Sequence, residues 1–151
     1  MKSTFNVTRV SREVYNRFFD NYTTEQLNKV PSGFSNNLIW NIGHIVVSQQ
    51  MLMYLASGNT PNVSMELIDR YKRGTRPERD TSAEEIAEIR SLLFTLVDKS
   101  EEDYNAGLFT KYAERKTDLG FTLTSIEDAI EFNNYHEATH LGMMMSLRKF
   151  V

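Results

Sequence analysis

The histidines are the residues of this sequence whose type and spacing favour chemistry. The 151-residue chain has three of them, His44, His136 and His140. His136 and His140 are four residues apart, so in a helix both imidazoles project from one face and can reach a single ion. Imidazole is a common ligand of divalent transition metals. The pair therefore supplies two ligands of a candidate metal site.

His44 becomes a third ligand if its helix faces the same interior. It shares a helix face with Trp40, Val47 and Met51, and we expect this apolar face to point inward. Spacing alone leaves two interpretations open, because core histidines that bond to backbone or carboxylate groups are also common. Three unpaired buried imidazoles would cost of order 1–3 kcal/mol each, and a shared cation removes that cost.

Helices must position these histidines, because apolar residues recur at helical spacing in four long segments. The first segment covers about residues 9–29, where Val10, Val14, Phe18 and Tyr22 form a stripe at four-residue spacing. The other three cover about residues 36–57, 82–104 and 124–151.

Each of these segments begins or ends at residue types that favour helix ends. Ser35 or Asn36 is expected to begin the second helix, and Gly58 is expected to end it. Ser82 and Thr124 are each followed three residues later by glutamate, which is the capping-box pattern. We therefore expect them to begin the third and fourth helices.

The fourth helix and two connections carry further expectations. A short helix is expected near Met65–Lys72, and residues 108–123 are expected to form an ordered crossover with a short extended piece. One heptad seam of the fourth helix is expected to face the core. That seam consists of Ala129, Asn133, His136, His140, Met143 and Leu147.

Four helices of this length predict an all-α fold, a four-helix bundle formed as a single domain by residues 1–151. A chain of 151 residues is long enough to bury a substantial hydrophobic core. The interior of such a bundle can hold a metal or ligand between facing side chains.

Composition excludes several classes of function. The chain has no cysteine, so cysteine zinc sites, iron–sulfur centres and cysteine nucleophiles are excluded. Its net charge of −3, from 17 basic and 20 acidic residues, argues against a nucleic-acid partner. No apolar segment approaches the roughly 20 residues of a membrane span, and the start lacks a signal-peptide core. We expect a cytoplasmic protein that does not enter membranes and acts on a small molecule.

Two motifs make this sequence resemble the DinB-like superfamily. Residues 37–45 match the pattern N-x-x-W-x-x-G-H-hydrophobic of the second helix in that superfamily. Residues 136–142 match its last-helix pattern H-x-x-x-H-x-G. Further similarity covers residues 27–34 and 119–129, so the resemblance extends over nearly the whole chain in the expected order.

The resemblance implies a four-helix bundle of up-down-down-up topology with a long crossover loop. It also implies a divalent ion held by three histidines, which correspond to His44, His136 and His140. Characterised members include S-transferases that use bacillithiol, mycothiol or glutathione, maleylpyruvate isomerases, and N-terminal domains of ergothioneine-synthesis enzymes. Resemblance therefore indicates the site more directly than the substrate.

A three-histidine site has predictable chemistry. Three neutral ligands leave at least one metal position open, as in catalytic zinc sites. A cation there lowers the pKa of water to about 7 and stabilises a thiolate in the same way. We expect zinc or nickel, with iron or manganese as alternatives, and a low-molecular-weight thiol as a cosubstrate.

Other residues carry weaker expectations. Asn41 and Asn133 are placed to orient imidazole N–H groups or to bond a substrate, and Trp40 is expected in the core or in a cavity wall. A capping role explains Asn37 at least as well as a contact with an imidazole or a substrate does. Glu137 follows a histidine directly and points about 100° away from it, so it is at most an inter-helix partner. The basic loop 72–79 is either a solvated connection or a cation source for an anionic cosubstrate.

Three functions follow from these observations. We favour a metal-dependent S-transferase in which the metal activates a thiolate. The first alternative is a hydrolase that uses hydroxide generated at the metal. The second is a non-catalytic bundle, with or without metal, that binds a ligand or forms a homodimer through a helix face.

Overall fold

The computed structural model describes residues 1–151 and is built mainly from α-helices. The four long helices are α1 (Lys2–Asn21), α3 (Leu38–Met53), α5 (Ala83–Asn105) and α6 (Ile126–Leu147). Two short helices, α2 (Thr24–Asn28) and α4 (Met65–Tyr71), lie in the connections. The predicted all-α fold is confirmed. None of the helices combines the length and the apolar character that crossing a bilayer requires.

The four long helices pack so that α1 and α3 each contact both α5 and α6. Helices α1 and α6 run in the same direction, since Thr8 bonds Asn134 and, one turn further along both helices, Arg12 bonds Glu137. Helix α3 runs opposite to α6, because residues 41 and 44 contact residues 140 and 136 respectively. The histidine-bearing faces of α3 and α6 therefore meet inside the bundle.

The helix boundaries correct several expectations. The segment predicted as one helix over 9–29 is divided into α1 and α2, because Thr23 forms a capping box with Gln26 and starts a new helix. Helix α3 begins after Asn37, whose Oδ1 accepts a hydrogen bond from the backbone N–H of Trp40 at 2.8 Å. Asn37, and neither Ser35 nor Asn36, is therefore the cap.

The remaining helix ends are closer to expectation. A 3₁₀-helix, Leu55–Ser57, follows α3 and ends at Gly58, which has the positive φ of 72° that favours glycine. Ser82 begins α5 through the predicted capping box with Glu85. Helix α6 begins one residue later than predicted, since Ser125 pairs with Asp128 in its capping box.

The short connections also have defined structure. Helix α4 lies where a short helix was predicted. In the crossover, Arg115–Lys116 (β1) and Thr122–Leu123 (β2) form an antiparallel pair, which agrees with the short extended piece expected there. Ala113 donates its backbone N–H to the carbonyl of Ala56 at 2.8 Å, so the crossover is anchored near the end of α3.

The buried face of α1 differs from the predicted stripe. Val10 is 52% exposed, whereas Thr8, Arg12 and Tyr15 are buried with Phe18. Arg12 is charged, so the hydrophobic pattern predicts that this face of α1 points toward solvent. Arg12 is buried instead, because Glu137 of α6 neutralises its charge.

The core seam of α6 is also shifted. Met143 is 44% exposed, and its neighbour Met144 is fully buried. The buried positions of α6 include Glu137, which has no exposed surface. At Glu137 and Met144 the buried position lies one residue after the predicted one. Buried residues on α6 are Ile126, Ala129, Ile130, Asn133, Glu137, Met144 and Leu147. The hydrophobic pattern did not predict this seam correctly, because one of its buried residues, Glu137, carries a carboxylate.

An ion pair between Arg12 and Glu137 lies at the centre of the bundle. The closest nitrogen and oxygen are 2.8 Å apart, and neither side chain has any exposed surface. The guanidinium of Arg12 also donates to the carbonyl of Leu93 at 2.8 Å and to Oε1 of Gln49 at 3.0 Å. Asn133 donates to Glu137 at 2.7 Å. One guanidinium thus contacts α3, α5 and α6, which fixes their positions relative to α1.

We predict that Glu137→Ala lowers the free energy of unfolding by about 3–5 kcal/mol, because it leaves the Arg12 guanidinium buried without a counter-charge. Urea denaturation at pH 7 measures the change. Asp118→Ala is the control, since Asp118 pairs with Arg73 at the surface and exposed pairs contribute at most about 1 kcal/mol. Equal, small effects of both substitutions would contradict the role assigned to the buried pair.

Candidate metal centre

The structure brings the three histidines together between α3 and α6. The nitrogens of His44, His136 and His140 that could act as ligands all lie within 4.8 Å of one another. Nε2 of His44 and Nε2 of His136 are 3.2 Å apart. The ring centroid of His140 is 4.7 Å from that of His44 and 4.6 Å from that of His136. The group contains no carboxylate.

A backbone carbonyl orients His44. Nδ1 of its ring donates a proton to the carbonyl oxygen of Tyr71 at 2.7 Å. Tyr71 is the last residue of α4, where the carbonyls of the final turn lack partners within the helix. Because Nδ1 carries the proton, Nε2 presents its lone pair to the other two histidines. Sequence reasoning missed this contact, since a main-chain acceptor has no sequence signature.

Gly43 explains how α4 approaches His44 so closely. A Cβ atom at this position would lie 2.5 Å from Cδ1 of the Tyr71 ring and 2.7 Å from its Cγ. The ring is buried, and its hydroxyl is 3.0 Å from Oγ1 of Thr81. The ring therefore has little freedom to move aside. Only glycine at position 43 lets the Tyr71 ring approach α3 this closely, with the Tyr71 carbonyl in contact with His44.

An amide side chain orients His140. Nδ1 of His140 donates to Oδ1 of Asn41 at 2.8 Å, where Asn41 was predicted to orient an imidazole. The Nδ2 group of Asn41 donates to the carbonyl of Asn37 at 2.7 Å and to Oδ1 of Asn36 at 3.1 Å. Both donors are occupied, so Oδ1 is the atom turned toward His140. The remaining nitrogen of His140, Nε2, is left as a lone-pair donor.

His136 is held by packing on one side and lacks a hydrogen bond on the other. Its ring stacks on Phe132, with centroids 6.2 Å apart. Its Nδ1 is buried and has no partner, while its Nε2 faces His44.

Ser48, one turn after His44, places its hydroxyl 3.3 Å from Nε2 of His44. The i, i+4 spacing of residues 44 and 48 was a signal that sequence reasoning did not use.

The remaining predicted residues divide into two groups. Trp40 stacks on His44 with centroids 4.8 Å apart and an interplanar angle of 10°, so it forms a wall of the site. Asn133 bonds Glu137 and contacts no imidazole through hydrogen bonds, and its Oδ1 is buried without a partner. Glu137 forms an ion pair with Arg12 of α1. This contact is the inter-helix role that the sequence allowed for Glu137.

Burial keeps the three imidazoles uncharged at neutral pH. Desolvation, together with the nearby His44, lowers the pKa of His136 to about 4. Desolvation and the proximity of His136 and His44 lower the pKa of His140 to about 3. Desolvation also lowers the pKa of His44, partly offset by its bond to the Tyr71 carbonyl. Uncharged imidazole is the form that binds metals.

This donor set fits a divalent transition metal. Two imidazole nitrogens that bind one tetrahedral zinc at its usual bond length are about 3.3 Å apart, and the observed separation of the two Nε2 atoms is 3.2 Å. Two of the rings have their Nδ1 protons bonded to oxygen acceptors, the arrangement that orients metal-binding histidines. Three neutral nitrogen ligands also leave a coordination position for a fourth group.

The basic loop 72–79 lies beside the site, and most of its cations are paired. Arg79 bonds Glu85, Lys72 bonds Asp69, and Arg73 pairs with Asp118 of the crossover. The hydroxyl of Thr75 accepts the indole N–H of Trp40 at 3.1 Å. The loop thus supports the wall formed by Trp40.

Fold and site together define a class of protein, an all-α four-helix bundle with a buried histidine triad suited to hold a divalent metal. A sequence model of the DinB superfamily matches residues 8–144 of the 151-residue chain. The chain belongs to the DinB superfamily, which confirms the resemblance seen in its motifs. A search of curated proteins finds no match to it.

We predict that Gly43→Ala destabilises the protein by about 1–3 kcal/mol, the usual cost of overpacking a core. The added methyl group displaces Tyr71 and with it the acceptor of His44, so metal affinity falls as well. Chemical denaturation and metal titration measure the two effects. Gly142→Ala is the matched control, because a Cβ there meets no atom within 4 Å. Unchanged stability and affinity in Gly43→Ala would contradict the proposed fit.

We predict that the metal-free protein loses stability as the pH falls from about 6.5 toward 4. The unfolded chain protonates its histidines near pH 6.5, whereas the folded pKa values of His136 and His140 are about 4 and 3. The unfolded state therefore binds more protons in this window, and stability falls by up to ~1.4 kcal/mol per pH unit for each histidine. Denaturation of chelator-treated protein measures the slope. His136→Gln should reduce it, and a flat profile would refute the burial argument.

Proposed function

We propose that this protein binds a divalent cation, zinc or nickel, through His44, His136 and His140 and transfers a low-molecular-weight thiol to a small electrophile. The observation that carries the proposal is the convergence of three uncharged imidazoles, two of them oriented by hydrogen bonds, with no carboxylate among them. Such a set leaves the cation its full charge and favours an anionic fourth ligand. When bound, the cation lowers the pKa of a thiol or a water molecule that enters the open position.

The protein's own residues hold the site ready for that chemistry. The carbonyl of Tyr71 and the amide of Asn41 fix the tautomers of two histidines, so these two rings already present Nε2 for a cation. Trp40 and Phe132 cover two of the rings and exclude water from them. A water-poor surrounding strengthens the interaction between a cation and an anion.

The absence of an acid near the three rings favours a thiol over water as the nucleophile. Metal-dependent hydrolases of the H-E-x-x-H type use a glutamate as general base. Here the glutamate at that spacing, Glu137, points about 100° away from His136 and is bound by Arg12 and Asn133. A thiol has an ordinary pKa near 8.5 and needs little further help to ionise at neutral pH.

The proposed reaction is a substitution. The thiol gives up its proton to solvent, and the sulfur uses its electron pair to form a bond to the electrophilic carbon. The bond from that carbon to the leaving group breaks, and the leaving group departs with the electron pair. No oxidant or reductant is required.

We predict that Ni²⁺ or Cu²⁺ quenches the fluorescence of Trp40, the only tryptophan of the chain, because its ring stacks on His44. Titration of protein prepared without a histidine tag measures the affinity, and Zn²⁺ should compete. His136→Ala should abolish saturable quenching, and Asn41→Ala should weaken binding by about 10- to 100-fold. Glu131→Ala, an exposed change on α6, is the control. Quenching that persists in His136→Ala would refute the site.

We predict metal-dependent conjugation when the protein is supplied with bacillithiol, mycothiol or glutathione and a panel of halogenated electrophiles. Chelator should stop turnover, Zn²⁺ or Ni²⁺ should restore it, and His140→Ala should remain inactive while Glu131→Ala retains activity. Loss of free thiol and release of halide are measured together. Turnover of esters without any thiol would replace this proposal with a hydrolase. Metal binding without either activity would indicate a non-catalytic module.

A further inference from the structure

A surface pocket of about 400 Å³ is formed by residues outside the three-histidine group. It is formed by the C-terminal half of α6 and the segment before α3. Phe34, Met143 and Leu147 supply its apolar surface. Its volume lies within the range of small-molecule sites.

Two amide side chains connect this pocket to the histidine site. Asn36 lines the pocket, and its Oδ1 accepts a hydrogen bond from Nδ2 of Asn41 at 3.1 Å. Asn41 in turn accepts the proton of His140 at 2.8 Å. On α6, Thr139 and Met143, which line the pocket, lie one residue before and three residues after His140. The pocket is therefore joined to His140 through two successive hydrogen bonds.

The polar groups of the pocket are uncharged. Because Oδ1 of Asn36 is occupied by Asn41, the Nδ2 group of Asn36 remains as a donor. The hydroxyls of Thr139 and Ser146 donate back to carbonyls of their own helix, which leaves their lone pairs as acceptors. No acidic or basic side chain lines the pocket. It is suited to an apolar group that carries a neutral carbonyl or hydroxyl.

Gly142 makes room for such a group. It lies in the interior of α6, where glycine weakens a helix relative to alanine. Its φ is not positive, and a Cβ atom there would meet no atom within 4 Å, so neither backbone conformation nor packing requires glycine. The open space above it is the pocket itself.

We propose that this pocket binds the apolar, uncharged body of the small molecule that reacts at the three-histidine site. This inference rests on the proposed function, since it assigns part of the electrophile to a defined surface. It specifies a neutral electrophile with an aliphatic or aromatic body and excludes one that carries its charge at that end.

Alkyl hydroxamates of increasing chain length test the inference, because the hydroxamate group binds divalent metals and the chain can enter the pocket. The zinc-loaded protein is titrated with acetohydroxamate, butanohydroxamate and hexanohydroxamate by calorimetry. We expect Kd to fall about three- to fourfold per added methylene until the pocket is filled. In Gly142→Leu, whose side chain occupies the pocket, the longer chains should bind no more tightly than acetohydroxamate, which itself should bind as in the parent protein.

Ala138→Leu is the matched control, since Ala138 is a small exposed residue of α6 that does not line the pocket. It should retain the full dependence on chain length. Equal affinity for all chain lengths, or a dependence that survives in Gly142→Leu, would overturn the inference. A dimer that sedimentation detects and that Gly142→Leu dissociates would also overturn it, because the pocket would then be a contact between copies.

A separate probe distinguishes failure of the pocket from failure of the metal site. 1-Hexanol has no metal-binding group, and the methyl resonance of Met143 in protein labelled at methionine methyls reports its binding. If no hydroxamate binds but 1-hexanol shifts this resonance in the parent and not in Gly142→Leu, the metal site is wrong and the pocket is a separate apolar site. If neither probe binds, the pocket assignment is refuted.

Discussion

The structure depends on the burial of three uncharged imidazoles that face one another between two helices. The Nε2 atoms of His44 and His136 are 3.2 Å apart, in a space from which solvent is largely excluded. Lone pairs of neutral imidazoles at this distance repel each other unless a proton or a cation lies between them. A neutral His136 can place its own ring proton there, and desolvation disfavours any additional proton. A divalent cation accepts lone pairs from all three rings at once, and this is why the arrangement favours metal binding.

Helix α6 carries two polar constraints on different sides. His136 faces α3, while Glu137, about 100° further round the helix, faces Arg12 of α1. Rotating or sliding α6 by one residue would leave the Arg12 guanidinium buried without its partner, which is far more costly than a shifted apolar contact. The ion pair therefore restricts the register in which the histidines meet. Stability of the bundle and geometry of the site are coupled through two adjacent residues.

Much of the secondary structure could be predicted from local signals, and the errors have specific physical causes. The start of α5 followed from the spacing of Ser82 and Glu85, since a capping box lies within four residues. The break between α1 and α2 was missed although Thr23 and Gln26 form the same motif, because the apolar spacing continued across it. The inward face of α1 was wrong because Arg12 is counted as exposed until Glu137, 125 residues away, is known to pair with it.

The sequence by itself determined the helical segments, the placement of two histidines on one face of α6, and the family that the motifs indicate. These properties are local, or depend on residue identity, and do not require knowledge of which helices touch. Only the tertiary structure decided that the carbonyl of Tyr71 orients His44, that Asn41 orients His140, and that a pocket opens at Gly142. Each joins segments distant in the chain, and a hydrogen bond or a cavity between them exists only when packing brings them within a few ångströms.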